Sequence, residues 1–223
     1  MARKTKTEAL ATKQQILDAA EQLFCARGVA RTSLHEIATS IGLTRGAIYW
    51  HFSDKYDLLA AMWERCMLPI EAAFDEIDAE LTGDPLGRLR AKAHGILHRI
   101  NRDQRTQNLL TIVLLRCEMV DEVGKSRDHM LNQREECLGK MVNELKAAIA
   151  AGQLPAGLPV EATAIGLHAV IDGLAYHWLR DPGRFDLERA GGAVVEGYLC
   201  GLVNWTPAVR RAQRVAKRKA IRA

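Results

Sequence analysis

Residues 32–55, TSLHEIATSIGLTRGAIYWHFSDK, restrict the fold more than any other part of this 223-residue chain. Ser33 and Glu36 make an S-x-x-E capping box, in which each end of the motif satisfies a backbone donor the other leaves open. The helix it opens carries its apolar face on Leu34, Ile37, Ala38 and Ile41. Gly42 ends that helix. Thr44 then caps a second short helix reaching about His51, with Ile48 turned inward and Phe52 closing the unit. Two short capped helices across a glycine-containing turn are the helix-turn-helix arrangement. Upstream, Ile16, Ala20, Leu23 and Phe24 recur at helical spacing before a C-cap candidate, Gly28, which supplies a third helix to pack on.

The rest of the chain repeats the helical period. Ser53 and Asp54 mark the start of a long helix carrying Leu58, Leu59, Met62, Trp63 and Cys66, and Pro69 is expected to kink or interrupt it. Further breaks fall at 83–85, 101–103, around Gly124, at 152–159 and at 181–183. No run alternates at period two for long enough to argue a sheet. The expected fold is all-α: an N-terminal three-helix head over 1–54, a five- or six-helix body over 55–207, and a basic, disordered tail over 208–223.

Charge is distributed unevenly along this plan. Residues 1–56 hold eight Lys/Arg against five Asp/Glu, residues 57–207 hold sixteen against twenty-two, and the last sixteen residues hold seven basic and no acidic groups. A polyanion is therefore expected at the ends, with the tail either a solvated arm or an additional phosphate grip. No apolar run approaches the roughly 20 residues of a membrane span, and the basic start is not followed by a signal-peptide core, so a soluble, cytoplasmic protein without a membrane partner is expected. The five cysteines, Cys25, Cys66, Cys117, Cys137 and Cys200, form no CxxC or CxxH pair. They read as buried packing thiols, with a redox sensor as the alternative. No metal or cofactor motif is found. His94 and His98 share a helix face without a third ligand and read as a solvated face. No nucleophile, base and orienter group together, which argues against an enzyme.

The chemistry sits in the second short helix. Few of its residues point inward, which leaves Arg45, Tyr49, Trp50 and His51 for its outer surface. Arginine bonds bidentately to guanine, and hydroxyls and amides at helix starts hold phosphates. Gly46 and Ala47 are small enough to let the backbone approach a groove. Phe52 is assigned to the core, Trp50 fits either the core or the groove, and Arg45 is assigned outward because no core takes it unpaired.

These residues resemble the TetR family of repressors, and within it the subgroup controlling multidrug efflux pump operons. The resemblance rests on ILDAAEQLF, RGVARTSL, GLTRGAIYWHFSDK and DLL, with weaker echoes at DPL (84–86), CE (117–118), GQLP (152–155), and DGL followed by WL (172–179). It implies that Thr44, Arg45, Tyr49, Trp50 and His51 meet double-stranded palindromic operator DNA, with Ser33 and Lys55 on phosphates and Arg45 as the main base contact. It implies a small apolar or aromatic effector lodged among Trp63, Met67, Leu89, Ile96, Leu110, Leu114, Cys137, Met141, His168, Ile171 and Asp172. Leu110 and Leu114 stand where relatives carry polar residues. Asp172, alone in the apolar stretch AVIDGLAYHWL, either receives a ligand hydroxyl or amine or pairs with a neighbouring helix. The body has few aromatics, so its core is expected to be aliphatic and adaptable. The last two helices, about 160–180 and 187–204, are expected to form a homodimer through Ile165, Ala169, Leu174, Trp178, Val194, Val195, Tyr198 and Leu202. A twofold dimer doubles the bases that one short helix can read. Effector binding is expected to shift the long fourth helix and move the recognition helices off one DNA turn.

Overall fold

A computed structural model describes residues 6–117 and 124–206 of the chain; the tail expected to be disordered lies outside them. The described residues contain helices and no strand. The head is α1 (Lys6–Arg27), α2 (Leu34–Ser40) and α3 (Arg45–His51). The body is α4 (Lys55–Glu80), α5 (Pro85–Arg102), α6 (Gln104–Thr111), α7 (Gly124–Ala150), α8 (Val160–Arg180) and α9 (Gly192–Val203). Wide π turns extend α6 through Ile112–Arg116 and precede α9 at Leu187–Gly191.

Each break follows from a local donor or a missing one. Asp54 accepts from the amides of Tyr56 and Asp57, both at 2.8 Å, and Asp57 in turn accepts from the Ser53 amide at 2.9 Å. Pro85 opens α5, where its missing N–H costs nothing. Asp84 caps that helix through the Gly87 amide at 2.8 Å and accepts from Gln153 Nε2 at 2.6 Å, which pins the turn after α7 to the start of α5. These donors hold the Asp84 carboxyl below its ordinary range, the Gly87 amide first. Asp103 ends α5 and caps α6.

Pro69 does not interrupt α4, which runs unbroken from Lys55 to Glu80. The proline ring costs one backbone bond, but it stands on the exposed side while Cys66 and Ile70 on either side are buried. Their packing holds the helix through the lost bond.

Two apolar cores result, and they do not divide at the end of the head. The first joins α1, α2 and α3 to the N-terminal part of α4 as far as Ile70, and it takes Leu109 from α6 and Ile112 from the turn after it. The second is built from α5, α7, α8 and α9 with Leu154, Leu158 and Leu187. Ile96 of α5 packs against both. Polar bonds reinforce the junction. Arg65 of α4 bonds Asp18 at 2.6 Å and Glu21 at 2.9 Å on α1, and Asn108 of α6 donates to Glu21 at 2.7 Å. The Val29 amide, just past α1, donates to the Arg116 carbonyl at 3.3 Å.

Gly28 makes that last contact possible. Its φ is +84°, and a Cβ there would stand 3.1 Å from the Arg116 carbonyl oxygen. Gly28→Ala should therefore cost about 1–2 kcal/mol from the left-handed backbone alone, read as a lower urea midpoint at unchanged slope. An unchanged midpoint would mean the junction relaxes freely.

Candidate DNA-reading face and effector seam

α2 and α3 form because their ends are capped. The Ser33 hydroxyl accepts from the Glu36 amide at 3.2 Å, and the Glu36 carboxylate accepts from the Ser33 amide and hydroxyl, each at 2.8 Å. The Ser33 bonds hold the Glu36 carboxyl below its ordinary range, the backbone amide contributing most. Gly42, at φ +69°, turns the chain, and the Leu43 amide bonds back to the Ala38 carbonyl at 2.9 Å. Thr44 then caps α3 by accepting from the Ala47 amide at 3.2 Å.

Within α3 only Ile48 is buried, and Phe52 just beyond it is also buried. Trp50 is 73% exposed and Tyr49 is 47% exposed, so neither knits the core. The Arg45 guanidinium lies over the Tyr49 ring at 5.4 Å from its centroid, and Trp50 meets His51 edge-on at 4.5 Å. These contacts steady an arginine and an indole on an open face, with Thr44, Arg45 and Gly46 exposed beside them. Lys55 is half-buried, donating to the Ala30 carbonyl at 3.1 Å, which tethers the start of α4 to the loop before α2.

The effector residues expected from sequence divide between the two cores, with Ile96 common to both. Trp63 and Met67 of α4 pack on the first core, Ile96 on both, and Leu110, Leu114 and Met141 on the second. Leu89 and Ile171 are buried within the second core, and Cys137 of α7 is half-buried. The indole Nε1 of Trp63 is buried with no hydrogen-bond partner among the described residues. Two surface concavities, of about 380 and 320 Å³, lie elsewhere: one beside Gln15, Gln22 and Ser40, the other beside Asn101, Trp178 and Phe185.

Asp172 is not alone, as its sequence neighbourhood suggested. Its carboxylate lies 3.0 Å from His168 Nδ1, one turn earlier on α8, and its side chain is 49% exposed. The pairing pushes the imidazole up to about 9, with Asp172 the largest cause, Cys137 the next, and burial opposing. His168 thus adds stability fully below its ordinary 6.5, and that stability is lost as pH rises through about 9.

The remaining expectations divide. Burial pushes the Cys25 thiol up to about 11 and raises Cys66 and Cys117 as well, which fits packing thiols. His94 and His98 stand on an accessible face, 40% and 64% exposed, and each meets a carboxylate there. His94 pairs with Glu196 of α9 at 2.9 Å, and His98 with Glu188 of the preceding turn at 3.3 Å. Bonds from Asn101, His98 and Arg102 take the Glu188 carboxyl down to about 2. On α8 and α9, Ile165, Ala169 and Val194 face outward, with Val203 beside them. Trp178, Val195 and Leu202 turn into the protomer's own core, and Tyr198 donates to the Thr163 carbonyl at 2.8 Å. The Asp18–Arg65–Glu21–Asn108 bridge was not anticipated. Partners 44 to 87 residues apart leave no periodic signal.

A capped helix-turn-helix head with an arginine and aromatics open on its second helix, joined to a larger helical body, defines a DNA-binding regulator of the two-part bacterial kind. Residues 16–62 match the model for bacterial regulatory proteins of the tetR family, and residues 84–203 match the C-terminal region of the MAATS-type transcriptional repressors. The chain belongs to the TetR family. It is 41% identical over 189 residues to the HTH-type transcriptional regulator AcrR of Shigella flexneri, covering 85% of this chain and 88% of that one. Its fold matches that of NalD, the secondary repressor of the MexAB-OprM multidrug efflux pump in Pseudomonas aeruginosa. The TM-score is 0.80 at 31% identity, covering 90% of this chain and 100% of that one. It also matches SmeT, the repressor of the Stenotrophomonas maltophilia pump SmeDEF, in its complex with triclosan. There the TM-score is 0.75 at 32% identity, covering 86% of this chain and 91% of that one.

Two outcomes follow from this geometry. Trp50→Ala should move the urea midpoint by less than about 0.5 kcal/mol-equivalent, whereas Phe52→Ala should cost about 3–5 kcal/mol; similar losses in both would put Trp50 in the fold. In an NMR titration of the His168 ring, Asp172→Asn should bring the transition down from about 9, because the largest stabiliser of the imidazolium is gone. A transition that stays put would assign the shift to other groups.

Proposed function

We propose that this chain is a ligand-responsive transcriptional repressor of a multidrug efflux transporter operon, released from its operator by a small apolar or aromatic effector. The observation that carries the reading is the α3 surface, where Arg45, Tyr49 and Trp50 stand open while Ile48 alone is buried. A solvent-exposed indole and tyrosine beside an arginine are costly to leave unpartnered and suit a groove or phosphate row. In this reading residues 1–54 are the DNA-binding head and 55–207 the effector and dimerisation body. Thr44, Arg45, Tyr49, Trp50 and His51 face the operator, with Ser33 and Lys55 at phosphates. The names of NalD and SmeT as efflux pump repressors, and the SmeT–triclosan complex, support the choice of target and of effector class.

The protein works as a cytoplasmic homodimer on palindromic double-stranded DNA, pairing through the outward faces of α8 and α9 around Ile165, Ala169 and Val194. It carries out no catalysis. Effector in the seam between the two cores contacts α4 on one side and α6 on the other. Because Arg65 of α4 and Asn108 of α6 both hold Glu21 of α1, a shift of either moves the head.

Binding of the purified protein to DNA upstream of its own and neighbouring genes tests this directly. Saturable binding at physiological salt is expected, with Arg45→Ala weakening it by at least about tenfold, as loss of one bidentate base contact does. Added triclosan should weaken the wild-type complex. Binding that random DNA competes away equally, or that Arg45→Ala leaves intact, would end the repressor reading.

A further inference from the structure

One neutral donor on α4 is buried with nothing to accept its hydrogen. Trp63 is half-buried against the first core, and its indole Nε1 is enclosed with no hydrogen-bond partner among the described residues. An indole N–H only donates, so it calls for an acceptor, and leaving a buried donor without one is costly. Three other buried polar atoms share that condition, yet each belongs to an ion-paired group: Arg65 with Asp18 and Glu21, Asp78 with Lys92, and His168 with Asp172. Trp63 is uncharged and has no such compensation. The polar side chains that tie α4 to α6, and α6 to α1, are bonded to one another. Cys66 meets Thr106 at 3.4 Å, Thr106 donates to Asp103 at 2.6 Å, and Asn108 donates to Glu21 at 2.7 Å. Met67 lies one turn further along the same face of α4, and Ile96, Leu110 and Leu114, expected to line the site with it, are aliphatic. The only acceptor among those four side chains is a weak thioether.

We propose that Trp63 selects the effector: its indole N–H binds the oxygen of a neutral carbonyl carried by an otherwise apolar, aromatic molecule. This deepens the reading of an effector site between the two cores and rests on it. The ligand must supply an acceptor, because the indole can only donate. It must be neutral, because a carboxylate would enter a largely aliphatic lining where the cations Arg65 and His168 already hold carboxylates of their own. The carbonyl gives up water and takes the indole N–H in exchange, while the rings meet the aliphatic side chains. A hydrocarbon of the same shape makes the apolar contacts and leaves the donor unsatisfied. A site that bound by apolar burial alone would make no such distinction at Trp63.

The test uses the full chain and two probes of nearly equal shape, benzophenone and 1,1-diphenylethylene, which differ by C=O against C=CH2. Trp63→Phe keeps an aromatic ring and removes the N–H. Benzophenone is expected to bind the variant about tenfold more weakly than the wild type, the size of one buried neutral hydrogen bond. Diphenylethylene should change by less than about twofold. Comparing each probe with itself cancels the dehydration of the ketone. In the wild type, the proton–nitrogen resonance of the Trp63 indole should move downfield with benzophenone, as a proton entering a hydrogen bond does, and not with diphenylethylene. That readout needs no variant, and a tryptophan that served only as packing would not give it. If Trp63→Phe weakens both probes alike or spares benzophenone, or if the indole resonance responds equally to both, selection by Trp63 is overturned while the effector site stands. If neither probe nor triclosan releases operator DNA, the effector-site reading itself fails and the role of Trp63 falls with it.

Discussion

Glu21 and Arg65 meet at 2.9 Å with side chains only 12% and 11% exposed, and the way the head is held depends on that pair. A charge so nearly buried needs paired groups around it, and only the Nε of Arg65 is left without one among the described residues. Glu21 accepts also from Asn108, and Arg65 also reaches Asp18 and Gln14, so α1, α4 and α6 share one polar node. Around it the first core is common property, since Leu109 and Ile112 of the body pack with Phe24, Ile37 and Ile48 of the head. Head and body therefore cannot move independently. Displacing α6 would pull on a bonded carboxylate and on an apolar contact at once.

The exposed face of α3 depends on this anchoring. α2 and α3 are seven residues each, far below the length at which a helix holds itself together in water. Caps at Ser33 and Thr44 and burial of Leu34, Ile37, Ala38, Ile48 and Phe52 supply what length does not. α3 can then spend its outer side on Arg45, Tyr49 and Trp50. One buried isoleucine and one buried phenylalanine hold the whole exposed face in place.

Much of this was readable from local pattern. Caps, glycine turns and the 3.6-residue period act within a few residues, and the breaks at 83–85, 101–103, 152–159 and 181–183 all appear as helix ends. The open residues of α3 were nameable because the helix offers so few inward positions. The misreadings have a common cause. Pro69 breaks a helix by local rule, yet packing of Cys66 and Ile70 carries α4 past it. Asp172 looked alone because its carboxylate partner stands one turn away, among apolar residues, in a histidine that is neutral by default. The carboxylate partners of His94 and His98 went unread because Glu196 and Glu188 lie about ninety to a hundred residues further on.

By itself, then, the sequence determined that the chain is helical, where its helices start and stop, and that a capped helix-turn-helix presents an arginine and two aromatics, because these follow from hydrogen bonds and periodicities between near neighbours. Only the tertiary structure decided which groups share a site. It brought Glu21 to Arg65 and Asn108, and His94 to Glu196. It turned Trp178, Val195 and Leu202 inward while leaving Ile165 and Val194 outside. Those choices depend on how helix faces stack across the chain, and burial at one position is settled by side chains far from it in sequence.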